Sequence, residues 1–181
     1  AQWRHEEFLA TAFVPIGSSV RVFIIRCEGK HDLKWHCPVW LSGDRNTALG
    51  CISSESGGII SFKNPRNALF PDTQAHFASN SALTGWTCSN ESYALGKSDR
   101  CCGAGLASCM AACYAHEDVS VLVCGTDRTE TAALTSPQAA YEALAGVKNK
   151  WKQTVNRLTV NTPDDNLNNY LNGWALYQTI A

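Results

Sequence analysis

The sequence predicts a mainly β protein that ends in a helical segment. Short apolar or alternating runs fill about the first 125 residues, and clusters of Gly, Asn, Asp and Ser separate them at the intervals of an all-β domain. From Ser136 onward the apolar residues instead recur at steps of three and four, which is the period of an amphipathic helix. We therefore expect a β domain over residues 1–130 and a helical segment over residues 131–181.

Seven strands are predicted, and the second is the clearest. Residues 20–27 alternate at first and then become continuously apolar, which predicts burial on both faces of a sheet. Asn64-Pro65-Arg66-Asn67 and Phe70-Pro71-Asp72 carry turn chemistry, so this stretch is expected to be a long surface loop. The predicted strands span residues 8–14, 20–27, 33–41, 58–62, 75–79, 106–113 and 119–124.

Two helices are predicted after the strands. Ser136 is a plausible N-cap with Pro137 at the first helical position. Thr162 and Pro163 repeat this arrangement, and Asp164 and Asp165 follow in the first turn, near the positive end of the helix dipole. The apolar stripe of the first helix is Leu144, Val147, Trp151, Val155 and Leu158, and that of the second is Leu167, Tyr170, Leu171, Trp174 and Tyr177.

The second helical pattern continues to Ala181 without a Gly, Asn or Pro stop signal. We therefore expect the chain to be an excerpt from a longer protein. If so, the apolar side of this helix would lie against polypeptide outside these residues.

Charge and hydropathy exclude two classes of partner. The sequence has 15 Lys and Arg residues and 16 Asp and Glu residues, and it has no basic run. Neither nucleic acid nor an anionic membrane surface is therefore expected to bind. The longest apolar runs are too short to span a bilayer. The first residues have no signal-peptide pattern, which predicts a cytoplasmic location, although a mature secreted protein would look the same.

Nine cysteines are unusual for this length. Their odd number and their position in apolar runs favour reduced, structural thiols, and the rival interpretation is a secreted disulfide framework with one thiol left over. The cluster of Cys101, Cys102, Cys109 and Cys113 lacks the paired Cys-x-x-Cys spacing of zinc sites. The five histidines also lack ligand spacing, so we expect no metal site.

The last 21 residues, NTPDDNLNNYLNGWALYQTIA, resemble a hallmark of the cellobiose and chitobiose phosphorylase family and of its relative, cyclic β-1,2-glucan synthase. The matching features are the opening Thr162-Pro163-Asp164, then Asn172-Gly173-Trp174, then Tyr177-Gln178. Further stretches resemble the family in its own order, at residues 11–29, 39–44, 63–79, 102–111 and 119–125. The sequence departs from the family at Ala107 and Ser108, where an acidic residue and a proline are usual.

The resemblance implies an antiparallel β-sandwich, part of a supersandwich, followed by two linker helices that lead to an (α/α)6 barrel missing from this chain. It also implies an inverting transfer of a glycosyl unit to inorganic phosphate, in which one carboxylic acid protonates the leaving oxygen. In the family that acid lies in the barrel and the reaction requires no metal or cofactor, so neither a catalytic residue nor a cofactor is expected here. Asp164 and Asp165 are tempting as a carboxylate pair, but their position predicts helix capping. The implied partners are an oligosaccharide, inorganic phosphate, the barrel and a second copy in a homodimer.

Three residues are candidates for contact with sugar or phosphate: Asn64, Arg66 and Trp86. A loop arginine beside an asparagine can bind oxyanions, and an indole face can stack on a pyranose. The competing interpretation is a turn former, a solvated charge and a partly buried aromatic. Two functions stay open: a non-catalytic segment of a carbohydrate phosphorylase or glycosyltransferase, or a free-standing carbohydrate-binding or protein-interaction module.

Overall fold

A computed structural model describes residues 1–5, 8–27, 32–41, 52–80, 85–88, 106–114, 119–155 and 159–175, with the backbone alone for residues 27, 32–40, 85–88 and 106–114. This part of the chain is mainly β. The strands are β1 (Gln2–His5), β2 (Phe8–Phe13), β3 (Val20–Cys27), β4 (Asp32–Trp40), β5 (Ile52–Ser56), β6 (Ile59–Lys63), β7 (Gln74–Ser79), β8 (Gly85–Cys88), β9 (Leu106–Tyr114) and β10 (Val119–Gly125). The helices are α1 (Arg128–Ala133), α2 (Pro137–Val155) and α3 (Asp165–Asn169), and a π-helical segment (Tyr170–Trp174) continues α3.

The strands form two antiparallel sheets. A seven-stranded sheet has the order β1-β2-β3-β10-β7-β6-β5, and a three-stranded sheet has the order β4-β9-β8. β10 lies between β3 and β7, with Val121 opposite Ile24 and Val123 opposite Ala78. The last strand of the chain therefore joins two groups of strands that come from earlier in the sequence.

All seven predicted strands are confirmed to within one residue at each end. Three strands, β1, β5 and β8, were not predicted. β1 and β5 are the two edges of the seven-stranded sheet and are exposed along their whole length, so they carry no apolar alternation. β5 and β6 are joined by Gly57 and Gly58, whose φ angles of 62° and 73° suit the two-residue turn of a tight hairpin.

The centre of the seven-stranded sheet is buried on both faces. Ile24 and Ile25 are consecutive and each is 2 % exposed, which confirms the burial predicted for this strand. One face packs against α2, and its core contains Val20, Val22, Ile24, Val121 and Val123 with Ala140 from the helix. On the other face Phe62 and Phe77 meet edge to face, with ring centroids 5.6 Å apart, beside the buried Ile60 and Leu122.

The helices agree with the sequence in part. Ser136 caps α2, since its hydroxyl accepts from the amide of Ala139 at 3.1 Å. α1 was not predicted, and the predicted domain boundary at residue 130 falls inside it. The prediction that Thr162 is the second N-cap is wrong: Asp164 is the cap of α3 and accepts from the amides of Asn166 and Leu167. The capping role predicted for this carboxylate is thereby confirmed.

Candidate functional site

The loop between β6 and β7 carries two of the predicted contact residues. Asn64 is 2 % exposed, and its Nδ2 donates to the carbonyl of Leu41 at 2.9 Å while its Oδ1 accepts from the amide of Arg66 at 3.1 Å. Asn67 has the same pattern: its Nδ2 donates to the Leu41 carbonyl at 3.3 Å, and its Oδ1 accepts from the amide of Leu69 at 3.1 Å. These two asparagines therefore shape the loop and fix it to the residue that follows β4.

Arg66 lies on the surface of this loop, where its side chain is exposed. The same loop exposes Leu69 and Phe70, which are 76 % and 62 % exposed. The structure therefore brings Asn64 and Arg66 together, the first as a buried anchor and the second as an accessible cation. An oxyanion could reach the guanidinium from solvent, whereas the buried amide serves the turn.

Trp86 belongs to the other sheet. It lies in β8, with Cys109 of β9 as its cross-strand partner. Its side chain lies outside the described residues. The contact of all three predicted residues with a sugar or with phosphate stays a prediction.

A polar cluster that the sequence did not predict lies under α1. Ser61 and His76 occupy paired positions on β6 and β7, and the Ser61 hydroxyl lies 2.8 Å from Nδ1 of His76. Arg128, the first residue of α1, donates from Nη1 to the Ser61 hydroxyl at 3.3 Å and from Nη2 to the carbonyl of Ser56 at 2.7 Å. Three elements, β5, β6 and β7, thus meet the start of one helix through this cluster.

Burial lowers the pKa of His76 below its ordinary value of 6.5, and the Arg128 guanidinium lowers it further. The Asp127 carboxylate opposes part of this shift. The imidazole is therefore neutral at neutral pH, which suits a side chain that is 5 % exposed.

A serine hydroxyl within hydrogen-bond reach of a histidine is also the first requirement of a serine nucleophile. Here Ser61 is 4 % exposed and its hydroxyl already accepts from Arg128, so the hydroxyl is not open to a substrate carbonyl in this arrangement. The bonds of the cluster join the two strands to the start of α1. Its only sequence signal is a serine and a histidine on neighbouring strands, and that signal becomes visible only once the register of β6 and β7 is known.

The C-terminal motif is held by two asparagine side chains. Asn172 exchanges two hydrogen bonds with the backbone of Val160, each 2.7 Å long. Asn168 does the same with the backbone of Thr162, at 2.7 and 2.9 Å. Asn168 and Asn172 lie four residues apart on the helix and bind Thr162 and Val160 of the preceding extended segment. These hydrogen bonds hold the extended segment along the helix.

The same helix leaves its apolar stripe open to solvent. Tyr170 and Trp174 stack on each other, with ring centroids 5.7 Å apart, yet they are 50 % and 58 % exposed. Leu167, one turn earlier, is 43 % exposed. The helix therefore displays an apolar surface formed by Leu167, Tyr170 and Trp174.

Comparison with known proteins returns no match to any protein-family model, and no curated protein is similar enough to count as a relative. Within the described ranges no group of three or more His, Cys, Asp or Glu side chains could hold a metal ion. No helix of the described part is long and apolar enough to cross a membrane. Cys124 is a half-buried thiol, and the predicted state of the other eight cysteines lies outside the side chains described.

Proposed function

We propose that this chain is the non-catalytic β-sandwich and linker segment of a cytoplasmic, inverting enzyme of the cellobiose and chitobiose phosphorylase type. Its role is to pack against a helical barrel that carries the catalytic acid, and so to help form a pocket for a β-linked oligosaccharide and inorganic phosphate. The observation that carries the proposal is the exposed apolar stripe of Leu167, Tyr170 and Trp174. This stripe lies within the segment that most resembles the phosphorylase family.

The rigidity of the stripe supports packing on a fixed partner. The asparagine pairs at Asn168 and Asn172 hold the helix against residues 160–162, so little conformational entropy remains to be lost on association. An apolar patch on a rigid helix is typical of a surface that another polypeptide covers.

The sandwich itself is the second part of the proposal: the three-stranded sheet stacks on the face of the seven-stranded sheet that lies opposite α2. That face already buries Ile60, Phe62, Phe77 and Leu122. The register of the smaller sheet aligns one set of apolar residue types across its three strands, and on β4 this set alternates with Asp32, Lys34 and His36, as in a sheet with one buried face. These positions are Leu33, Trp35, Cys37 and Val39 on β4, Ala107, Cys109, Ala111 and Cys113 on β9, and Trp86 and Cys88 on β8.

The test is complementation with the separately produced (α/α)6 barrel of a cellobiose phosphorylase. We expect the barrel and the chain to release glucose 1-phosphate from cellobiose and phosphate only when mixed, and the chain alone to release none. The double variant Tyr170→Ser/Trp174→Ser is expected to lose complementation, because it removes the apolar stripe. Trp3→Ser is the matched control, since Trp3 is similarly exposed, at 56 %, but lies on β1.

Two results would overturn the proposal. One is phosphorolysis by the chain without a barrel. The other is unchanged complementation by the double variant. Binding of cellobiose or chitobiose by the chain alone, lost in Arg66→Ala, would favour the free-standing carbohydrate-binding module instead.

A further inference from the structure

We propose that His76 is a pH-sensitive switch that holds the start of α1 on the β5–β6 hairpin at neutral pH and releases it in acid. The cluster of Ser61, His76 and Arg128 carries this inference, which is independent of the function proposed above.

The first step concerns how α1 is attached. The helix has six residues, too few to be stable without tertiary contacts. Its one fully buried side chain is Thr131, whose hydroxyl donates to the carbonyl of Asp127 within the same helix start. Arg128 is the residue that reaches the hairpin, through the carbonyl of Ser56 and the hydroxyl of Ser61. Since α1 also packs on β7 and β10, it is the attachment of the helix start to the hairpin that depends on the acceptors of Arg128.

The second step assigns the proton between Ser61 and His76. A guanidinium only donates, so the Ser61 oxygen accepts from Arg128, and its own hydrogen is available to Nδ1 of His76. The opposite arrangement, with a proton on Nδ1, would leave the buried serine hydrogen without an acceptor in the cluster. The neutral imidazole with its proton on Nε2 therefore completes the set of hydrogen bonds.

The third step is the effect of a second proton. A protonated His76 carries hydrogen on both ring nitrogens, so Nδ1 becomes a donor and the Ser61 hydroxyl has to reverse. The serine oxygen then faces two cationic donors, His76 and Arg128, in a buried site. Repulsion between these two charges favours departure of the guanidinium, which is the one of the two that has access to solvent.

The other groups around His76 do not cancel this effect. Asp127, at the start of α1, is the one carboxylate that favours the charged imidazole, and its influence is smaller than that of burial or of Arg128. On β6, Lys63 lies two residues from Ser61 and is paired with Asp72 at 2.9 Å. On β10 the position opposite His76 is Gly125, which carries no charge. On β5, Ser56 accepts from Arg128 through its carbonyl.

The experiment is amide hydrogen exchange on the whole chain, at about pH 7.5 and about pH 5, with protection factors corrected for intrinsic exchange. Residues 128–135 are expected to lose protection by about tenfold or more in acid, while β3 in the sheet centre keeps a higher protection factor than α1 at both pH values. His76→Asn retains an acceptor near the position of Nδ1 and cannot be protonated, so its α1 protection should be the same at both pH values. His5→Asn, on the exposed edge strand β1, is the matched control and should behave as the wild type.

The proposal fails if α1 protection in the wild type is the same at both pH values, or if α1 and β3 have the same protection factors in acid, since the helix would then exchange only by global unfolding. It also fails if His76→Asn shows the wild-type loss. Should that variant not fold, NMR titration of the wild type decides the matter: the imidazole signals of His76 and the guanidinium signals of Arg128 must change with one common midpoint. Different midpoints would overturn the switch.

Discussion

The side-chain amide of Asn64 donates to the main-chain carbonyl of Leu41 at 2.9 Å and thereby connects the two sheets, since the loop after β6 belongs to one and Leu41 directly follows β4 of the other. Asn67 donates to the same carbonyl at 3.3 Å. A single peptide oxygen is therefore the point at which the long loop is fixed.

Asn64→Ala should destabilise the protein by about 2 kcal/mol, because it removes two partly buried hydrogen bonds and leaves the amide of Arg66 without its side-chain acceptor. Arg66→Ala removes an exposed side chain from the same loop and should change the free energy of unfolding by less than about 0.5 kcal/mol. Urea denaturation monitored by tryptophan fluorescence measures both. Equal losses in the two variants would contradict the anchoring role of Asn64.

Stability should fall as the pH is lowered through the ordinary pKa of histidine. His76 binds a proton more weakly in the folded protein than in the unfolded chain, so the unfolded state takes up more protons below about pH 6.5, and acid favours unfolding. The full contribution is present above that pH, and the loss levels off below the pKa of the folded state. Urea denaturation from pH 8 to pH 5 measures the slope, which should be shallower in His76→Asn than in His5→Asn; identical slopes would exclude His76 as the source.

Asn172→Ala should release residues 159–162 from the C-terminal helix, because both hydrogen bonds with Val160 are lost. We expect a local cost of about 1–3 kcal/mol. Limited proteolysis should then cut this segment faster, and Asn168→Ala should act in the same direction through Thr162. Asn169→Ala is the control on the exposed side of the same helix; faster cleavage in this control would argue against the pairing.

Gly125→Ala should be strongly destabilising. An added Cβ would lie 2.7 Å from Cγ2 of Val20, 2.8 Å from its Cα and 2.9 Å from the carbonyl of Ser19, and two of these atoms are backbone. We expect a loss of at least about 2 kcal/mol. Gly146→Ala is the matched control: it has open space within α2 and should gain about 0.5–1 kcal/mol from helix propensity. Thermal unfolding of the two variants should therefore move in opposite directions.

Ser120→Ala should stabilise the protein or leave it unchanged. The Ser120 hydroxyl is buried at 1 % exposure and has no hydrogen-bond partner among the described residues. Removing it relieves the cost of desolvating an unpaired polar group, about 1 kcal/mol. Ser61→Ala removes a paired hydroxyl from the same sheet and should instead be destabilising. A loss of stability in Ser120→Ala would show that the hydroxyl does have a partner.

Burial explains which strands the sequence could predict. β3 and β10 lie in the sheet centre, where most side chains are buried, so their apolar residues form a clear pattern, although Arg21 and Arg26 of β3 are exposed. β1 and β5 form the edges and are held by backbone hydrogen bonds that leave no pattern in the side chains. α1 escaped prediction because its six residues bury only Thr131.

The candidate sites also differ in how much of their structure the sequence could predict, according to whether their contacts are local or join distant segments. Asn64 was predicted as a contact for sugar or phosphate, with a turn former as the competing interpretation; the structure shows its hydrogen bonds within the turn and to Leu41, and the ligand contact stays a prediction. The cluster of Ser61 and His76 depends on the register between two strands, which no single segment encodes. The second N-cap was predicted at the wrong residue because Thr162 and Asp164 both suit a helix start. The hydrogen bonds of Asn168 with Thr162 hold that threonine in the preceding extended segment, and the sequence alone does not show them.

The central position of β10 has a consequence for the order of folding. Until residues 119–125 pair with them, β3 and β7 each have one edge without hydrogen bonds to a neighbouring strand. Hairpins such as β2–β3 and β5–β6–β7 can form early from local contacts, but joining them requires loop closure over long stretches of chain, which slows folding. During synthesis on the ribosome, the two half-sheets should keep unpaired edges until β10 emerges. In that interval the nascent protein is most prone to pair with the wrong strand.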